Sequence, residues 1–116
     1  MNYTLAIADV VELHLKAAVN DGGQDRTFAF HLRAKRMPQQ ALRDALADKD
    51  LTVKDFLREK ITGWRGQRLV LGEDGEPAPF GPEALDCMLS VVGMETLVLN
   101  AYLKAMGAEA VERAKN

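Results

Sequence analysis

The sequence predicts an α+β fold: an antiparallel hairpin or three-stranded sheet with about four helices packed on one face. Two alternating segments around a glycine turn predict the sheet. Three or four amphipathic stretches, each opened by a proline, a hydroxyl residue or a glycine, predict the helices. Between the helical stretches, Thr62 to Glu83 holds five of the nine glycines, three of the four prolines and the only tryptophan. This Gly/Pro-rich stretch, residues 62–83, reads as a joint between helical layers, with Trp64 and Phe80 anchored in the core.

In the first alternation Val11, Leu13, Leu15, Ala17 and Val19 interleave with Glu12, His14 and Lys16, the period of a strand with one buried face. Asn20 to Asp25 forms the turn, because glycine accepts positive φ at no steric cost. The second alternation sets Phe28, Phe30, Leu32 and Ala34 against Thr27, Ala29, His31 and Arg33. With Gly22 and Gly23 as the central turn residues, Leu15 faces Phe30 and Leu13 faces Leu32. All apolar residues then share one face, as register demands. Glu12 lies opposite Arg33 on the other face, an expected ion pair. Leu5 and Ile7 read as a short leading strand or as a segment against the sheet edge.

Met37-Pro38 ends the second strand, and Pro38 suits a first helical turn. Ala41, Leu42, Ala45 and Leu46 make one apolar stripe. Thr52 with Asp55 resembles an acidic capping box opening a second helix, whose stripe runs Val53, Phe56, Leu57, Ile61 and Trp64; Gly63 or Gly66 stops it, Gly63 being preferred. Leu69-Val70-Leu71 reads as a short strand joining the hairpin or as an extended segment packed against it, and Asp74-Gly75 as a turn. Pro82 opens a third helix with Leu85, Met88, Leu89 and Val92 on its apolar face. Gly93 marks a kink or cap before a fourth helix carrying Met94, Leu97, Val98, Ala101, Tyr102 and Ala105. Either Gly107 ends this helix or, as Val111 allows, helical character continues through Ala108–Ala114; Arg113–Asn116 is expected to fray.

At 116 residues, the chain (1–116) reads as a single small domain. Fifteen Lys+Arg against seventeen Asp+Glu give a net charge of -2, no basis for a nucleic-acid partner or an anionic membrane. No run of about 18 apolar residues is present, so no membrane span is expected. One cysteine allows no intrachain disulfide and suits a reducing compartment.

Catalytic chemistry finds no foothold. His14 and His31 face each other across the hairpin, but Glu12 is diagonal to them and a structural zinc normally takes four protein ligands; they read as solvated, with no metal expected. Cys87 has no cation three or four positions away to stabilise a thiolate and reads as a buried or half-buried structural thiol. Glu73, Asp74 and Glu76 sit on a glycine-rich turn, where no carboxyl is desolvated for acid catalysis. Neither Gly63-Trp64-Arg65-Gly66 nor Gly72-Glu73-Asp74-Gly75 carries the lysine and hydroxyl of a phosphate loop. The expectation is a non-enzymatic binding protein without cofactor. Its open hairpin edge and its methionines point to a homo-oligomer, with Met94, Leu99, Tyr102 and Met106 as interface candidates.

The strand Phe28–Ala34, the helices up to Ile61-Thr62-Gly63-Trp64, and the joint carry a resemblance. In the joint, Gly63, Trp64 and Gly66 precede Gly75-Glu76-Pro77-Ala78-Pro79-Phe80, and Leu99-Asn100-Ala101-Tyr102 follows. In this arrangement, over residues 10–107, the chain resembles the small tail assembly chaperones of long-tailed bacteriophages. It departs from them at Gly81-Pro82, where most relatives carry serine or threonine. The resemblance implies a non-catalytic protein of the host cytoplasm that binds the helical, aggregation-prone tape-measure protein and helps tail-tube subunits gather on it. Many such proteins are made in a short and a frameshifted longer form. Trp64, Pro79 and Phe80 would be framework positions. Two other readings stay open: a virion head–tail connector or minor tail protein, and a bacterial protein-binding adaptor.

Overall fold

A computed structural model describes residues 2–107; the alternative of a helical continuation over 108–114 and the frayed end lie outside them. Strands β1 (Val10–Asp21) and β2 (Gln24–Lys35) form the hairpin, in the expected register: Leu13↔Leu32, His14↔His31, Leu15↔Phe30. Gly22 and Gly23 take φ of 63° and 99°, the two positive angles that match a tight turn to strand twist. Asn20 Oδ1 accepts the Gly23 N–H at 2.9 Å. Val11, Leu13, Leu15, Phe30, Leu32 and Ala34 are buried on one face. Burying Leu13, Leu15, Phe30 and Leu32 contributes about 6–12 kcal/mol before chain entropy is subtracted.

Helix α1 (Gln39–Ala47) follows Pro38, which is the N-cap residue and not the first helical one. Helix α2 (Val53–Lys60) begins as expected, with Thr52 Oγ1 accepting the Asp55 N–H at 3.1 Å.

The chain then departs from the expected continuation of α2 through Trp64. Ile61–Arg65 is strand β3, antiparallel to β2 with Leu32↔Trp64 and Arg33↔Gly63, and the sheet order is β1-β2-β3. Ile61 and Thr62 are β-branched and Trp64 is aromatic, all residues that suit a strand. Pairing also satisfies the outer edge of β2, which a helix could not. Gly66, at φ 72°, turns the chain after the strand, in place of Gly63.

Leu69–Leu71 is consequently not the third strand but the extended alternative, with Val70 buried and Leu69 packed against the core. Leu71 makes one isolated bridge to Pro77, and Gly75, at φ 79°, closes the Asp74-Gly75 turn between them. With Thr62–Arg65 in the sheet and Pro82 in a helix, the segment joining them is residues 66–81.

Helix α3 (Pro82–Leu89) starts on Pro82 and buries Leu85, Met88 and Leu89. Val92 was expected on that face but is 100% exposed. The helix ends at Leu89, so Val92 falls in the elbow before Gly93. Gly93 (φ 87°) caps α4 (Met94–Ala105), which lies at 107° to α3. Met94, Val98 and Tyr102, one every four residues, are buried as α4 crosses the apolar face of β1. The phenol of Tyr102 donates to Lys35 O at 2.7 Å and its ring meets Phe56 edge-on, centroids 5.7 Å apart. The core is therefore one sheet face sealed by α2, α3 and α4. Tyr3, Leu5 and Ile7 form neither a strand nor an edge cover; they are exposed.

Candidate functional site

Three surfaces meet the residues that the sequence singles out. The first is the 66–81 joint. Trp64, on β3, is half-buried and meets Phe80 edge-on at 5.2 Å, so the two aromatics pack on the rim of the core. Trp64 Nε1 donates to Ala78 O at 3.1 Å. Gln67, which sequence reasoning missed, has the one buried polar side chain among the described residues. Its Nε2 donates to Val70 O (2.9 Å) and Ala78 O (3.1 Å), and its Oε1 accepts the Val70 N–H (2.8 Å). One amide thus ties together both arms of a loop whose backbone also pairs, the Ala78 N–H donating to Val70 O at 2.9 Å and the Gly72 N–H to Glu76 O at 2.8 Å. Nothing in the Gly66-Gln67-Arg68 run signals this role. Gly63 lies opposite Arg33, Gly66 and Gly75 supply turns, Pro77 bridges Leu71, and Pro79 is exposed. The motif residues thus form one scaffold and bring no nucleophile or acid–base pair together. A hollow of about 420 Å³ lies beside Phe80, between α2 and the start of α3, edged by Asp55, Arg58 and Glu59. Arg58 Nε is paired there with Asp86 Oδ1 at 3.0 Å.

The second surface is helical. No residue of α1 is fully buried: Ala41, Leu42 and Ala45 are half-covered and Leu46 is 53% exposed. Leu46, Leu51, Val53 and Leu99 edge a groove of about 80 Å³ floored by Phe56. That is room for one aliphatic side chain and well below the volume of a small-molecule site. Of the interface candidates, Met94 and Tyr102 are core residues at 2% and 0% exposure, while Leu99 and Met106 are half-buried. Cys87 is exposed, contrary to expectation. With Leu85, Met88 and Leu89 facing inward, helical periodicity directs position 87 outward.

The third surface is the open sheet face. His14 and His31 are opposed as expected, ring centroids 4.4 Å apart and nearly perpendicular. Glu12 stands opposite Arg33 in register, but its ion-pair partner is Arg65, reaching across β2 from β3. The hydrogen bond from Arg65 holds the Glu12 carboxyl below its ordinary value, against a smaller opposing effect of desolvation. The position of Arg65 follows from strand β3, so reading that segment as helix hid the pair.

The fold defines the class: an α+β protein with a three-stranded antiparallel sheet and about four helices packed nearby. No protein-family model, curated protein or solved structure matches the chain. No single described helix is long and apolar enough to cross a membrane.

Proposed function

We propose that this chain is a non-catalytic, cofactor-free binding protein that acts as a tail assembly chaperone in the host cytoplasm, holding a helical segment of a phage tape-measure protein while tail-tube subunits gather. The observation that carries this reading is the half-covered apolar stripe of α1, continued by Leu51, Val53 and Leu99 around a shallow groove. A client helix with its own apolar stripe suits such a groove, because one protruding side chain fills it and the rest of the helix covers α1. The resemblance carried by Trp64, Pro77, Pro79 and Phe80 supplies the identity of the client.

Co-expression tests it. The chain should raise the soluble yield of a tape-measure fragment and co-purify with it. Leu46→Glu should abolish both effects while leaving the unfolding free energy of the protein within about 0.5 kcal/mol of wild type, since Leu46 is on the surface. Equal rescue by Leu46→Glu would remove the groove from the account. No rescue by wild type, with the protein found in purified particles, would favour the head–tail connector reading.

Self-association belongs to the same proposal. Tyr3, Leu5 and Ile7 alternate along an exposed arm, and among the described residues no strand pairs with the outer edge of β1. An arm of this pattern can add to the edge of a second copy, extending the sheet. Light scattering should give a mass above the monomer for the full chain and the monomer mass after deletion of residues 2–8. A monomeric full chain would exclude the arm exchange.

A further inference from the structure

We propose that Glu12, His14 and His31 form a surface site for a borderline divalent cation such as Zn²⁺, with its remaining coordination positions open to water. The donor atoms of these three residues all lie within 4.8 Å of one another. The ladder explains why. Arg36 N–H donates to Asp9 O at 2.7 Å, which makes Asp9–Arg36 a hydrogen-bonded pair. Alternation along the hairpin then makes His14–His31 a non-hydrogen-bonded pair, the type whose Cα atoms approach to about 4.5 Å and whose side chains are closest. Glu12 precedes His14 by two residues and so projects from the same face.

Around a tetrahedral zinc at about 2.0–2.2 Å, donors lie roughly 3.4 Å apart. The present spacing therefore has to contract by about an ångström or somewhat more, within reach of χ rotations of three side chains that are not buried. The perpendicular rings must turn so that one nitrogen from each meets the ion. Two imidazoles and one carboxylate suit Zn²⁺, Ni²⁺ or Cu²⁺, and give Mg²⁺ and Ca²⁺ too few oxygens. Three protein ligands leave an exchangeable position, unlike a closed structural site. The opposing feature is also clear. Arg65 occupies the Glu12 carboxylate, and Lys16 and Arg33 stand next along the same face. Cation binding must displace Arg65 from Glu12.

Titration of ZnCl₂ into the tag-free full chain, followed by calorimetry and by the ring resonances of both histidines, tests this. The expected result is one saturable site per chain, with both rings shifting together and no response to MgCl₂. His14→Ala and His31→Ala should each weaken binding at least about tenfold. Cys87→Ser should leave it unchanged, and Arg65→Gln, which frees the carboxylate, should tighten it. Circular dichroism should be the same in all variants, because none of the substituted side chains is buried. Absence of saturable binding up to about 1 mM would overturn the proposal. So would binding that survives either histidine substitution, a shift of only one ring, or loss of binding in Cys87→Ser. Weaker or unchanged affinity in Arg65→Gln would remove Glu12 from the ligand set and sink the three-residue site.

Discussion

Gln67→Glu should destabilise the protein by about 3 kcal/mol or more, read as a lowered urea midpoint with an unchanged slope. The wild-type amide donates twice, to Val70 O and Ala78 O, and accepts once, from the Val70 N–H. A carboxylate keeps the acceptor and loses both donors. Two carbonyls would then face an anion in a site where Gln67 is only 3% exposed. Each carbonyl would keep one other donor, Trp64 Nε1 on Ala78 O and the Ala78 N–H on Val70 O, so the loss comes from the two missing amide bonds and the charge buried beside them. Gln67→Leu should cost less than the charged variant but still well above a surface change, because the Val70 N–H and carbonyl lose their side-chain partner. Arg68→Gln, one residue on and exposed, is the matched control. A Gln67→Glu loss under about 1 kcal/mol would mean that the joint is held by Trp64 and Phe80 packing and not by the amide.

Truncating Tyr102 should have a comparable or larger effect. Tyr102→Ala removes a fully buried ring from between Phe56 and the sheet, and should cost about 3–5 kcal/mol. Tyr102→Phe keeps the ring and loses only the bond to Lys35 O, for about 1 kcal/mol. The pair therefore separates packing from hydrogen bonding. Burial raises the Tyr102 phenol above its ordinary value, outweighing the nearby charge of Arg36, which acts the other way. Between 10.0 and the raised folded value the unfolded chain has released the proton and the folded one has not, so stability falls as pH rises. Its contribution is complete below the unfolded value of 10.0 and is lost as pH climbs through the higher folded value. Wild type should show this alkaline loss and Tyr102→Phe should lack it. Identical alkaline profiles would mean that the phenol is solvated.

Local rules were enough for the hairpin, the α2 cap and the start of α3. Period two has only one solution when every apolar residue of both strands must share a face, and Gly22-Gly23 sets where the strands meet. Thr52, Pro82 and Gly93 act within one helical turn, so their neighbours in the chain suffice to read them. The same periodicity was ambiguous at Ile61–Trp64, because a stripe spaced for a helix is also a strand when β-branched residues and an open sheet edge are available. Only the presence of β2 decides between them. Once that strand forms, it carries Arg65 to Glu12 and Trp64 to Phe80, and Gln67 falls inside the loop that it must hold.

What the amino-acid order determined by itself is the α+β class, the hairpin register and the opposition of His14 and His31, each a consequence of spacing along a few residues. What only the tertiary structure decided is which residues are used up in the core and which stay on the surface. Met94 and Tyr102 looked available for a partner and are buried, whereas Cys87 and Val92 looked internal and face outward. Burial depends on where a helix stops and which layer lies over it, and those are set by contacts between segments far apart in the chain.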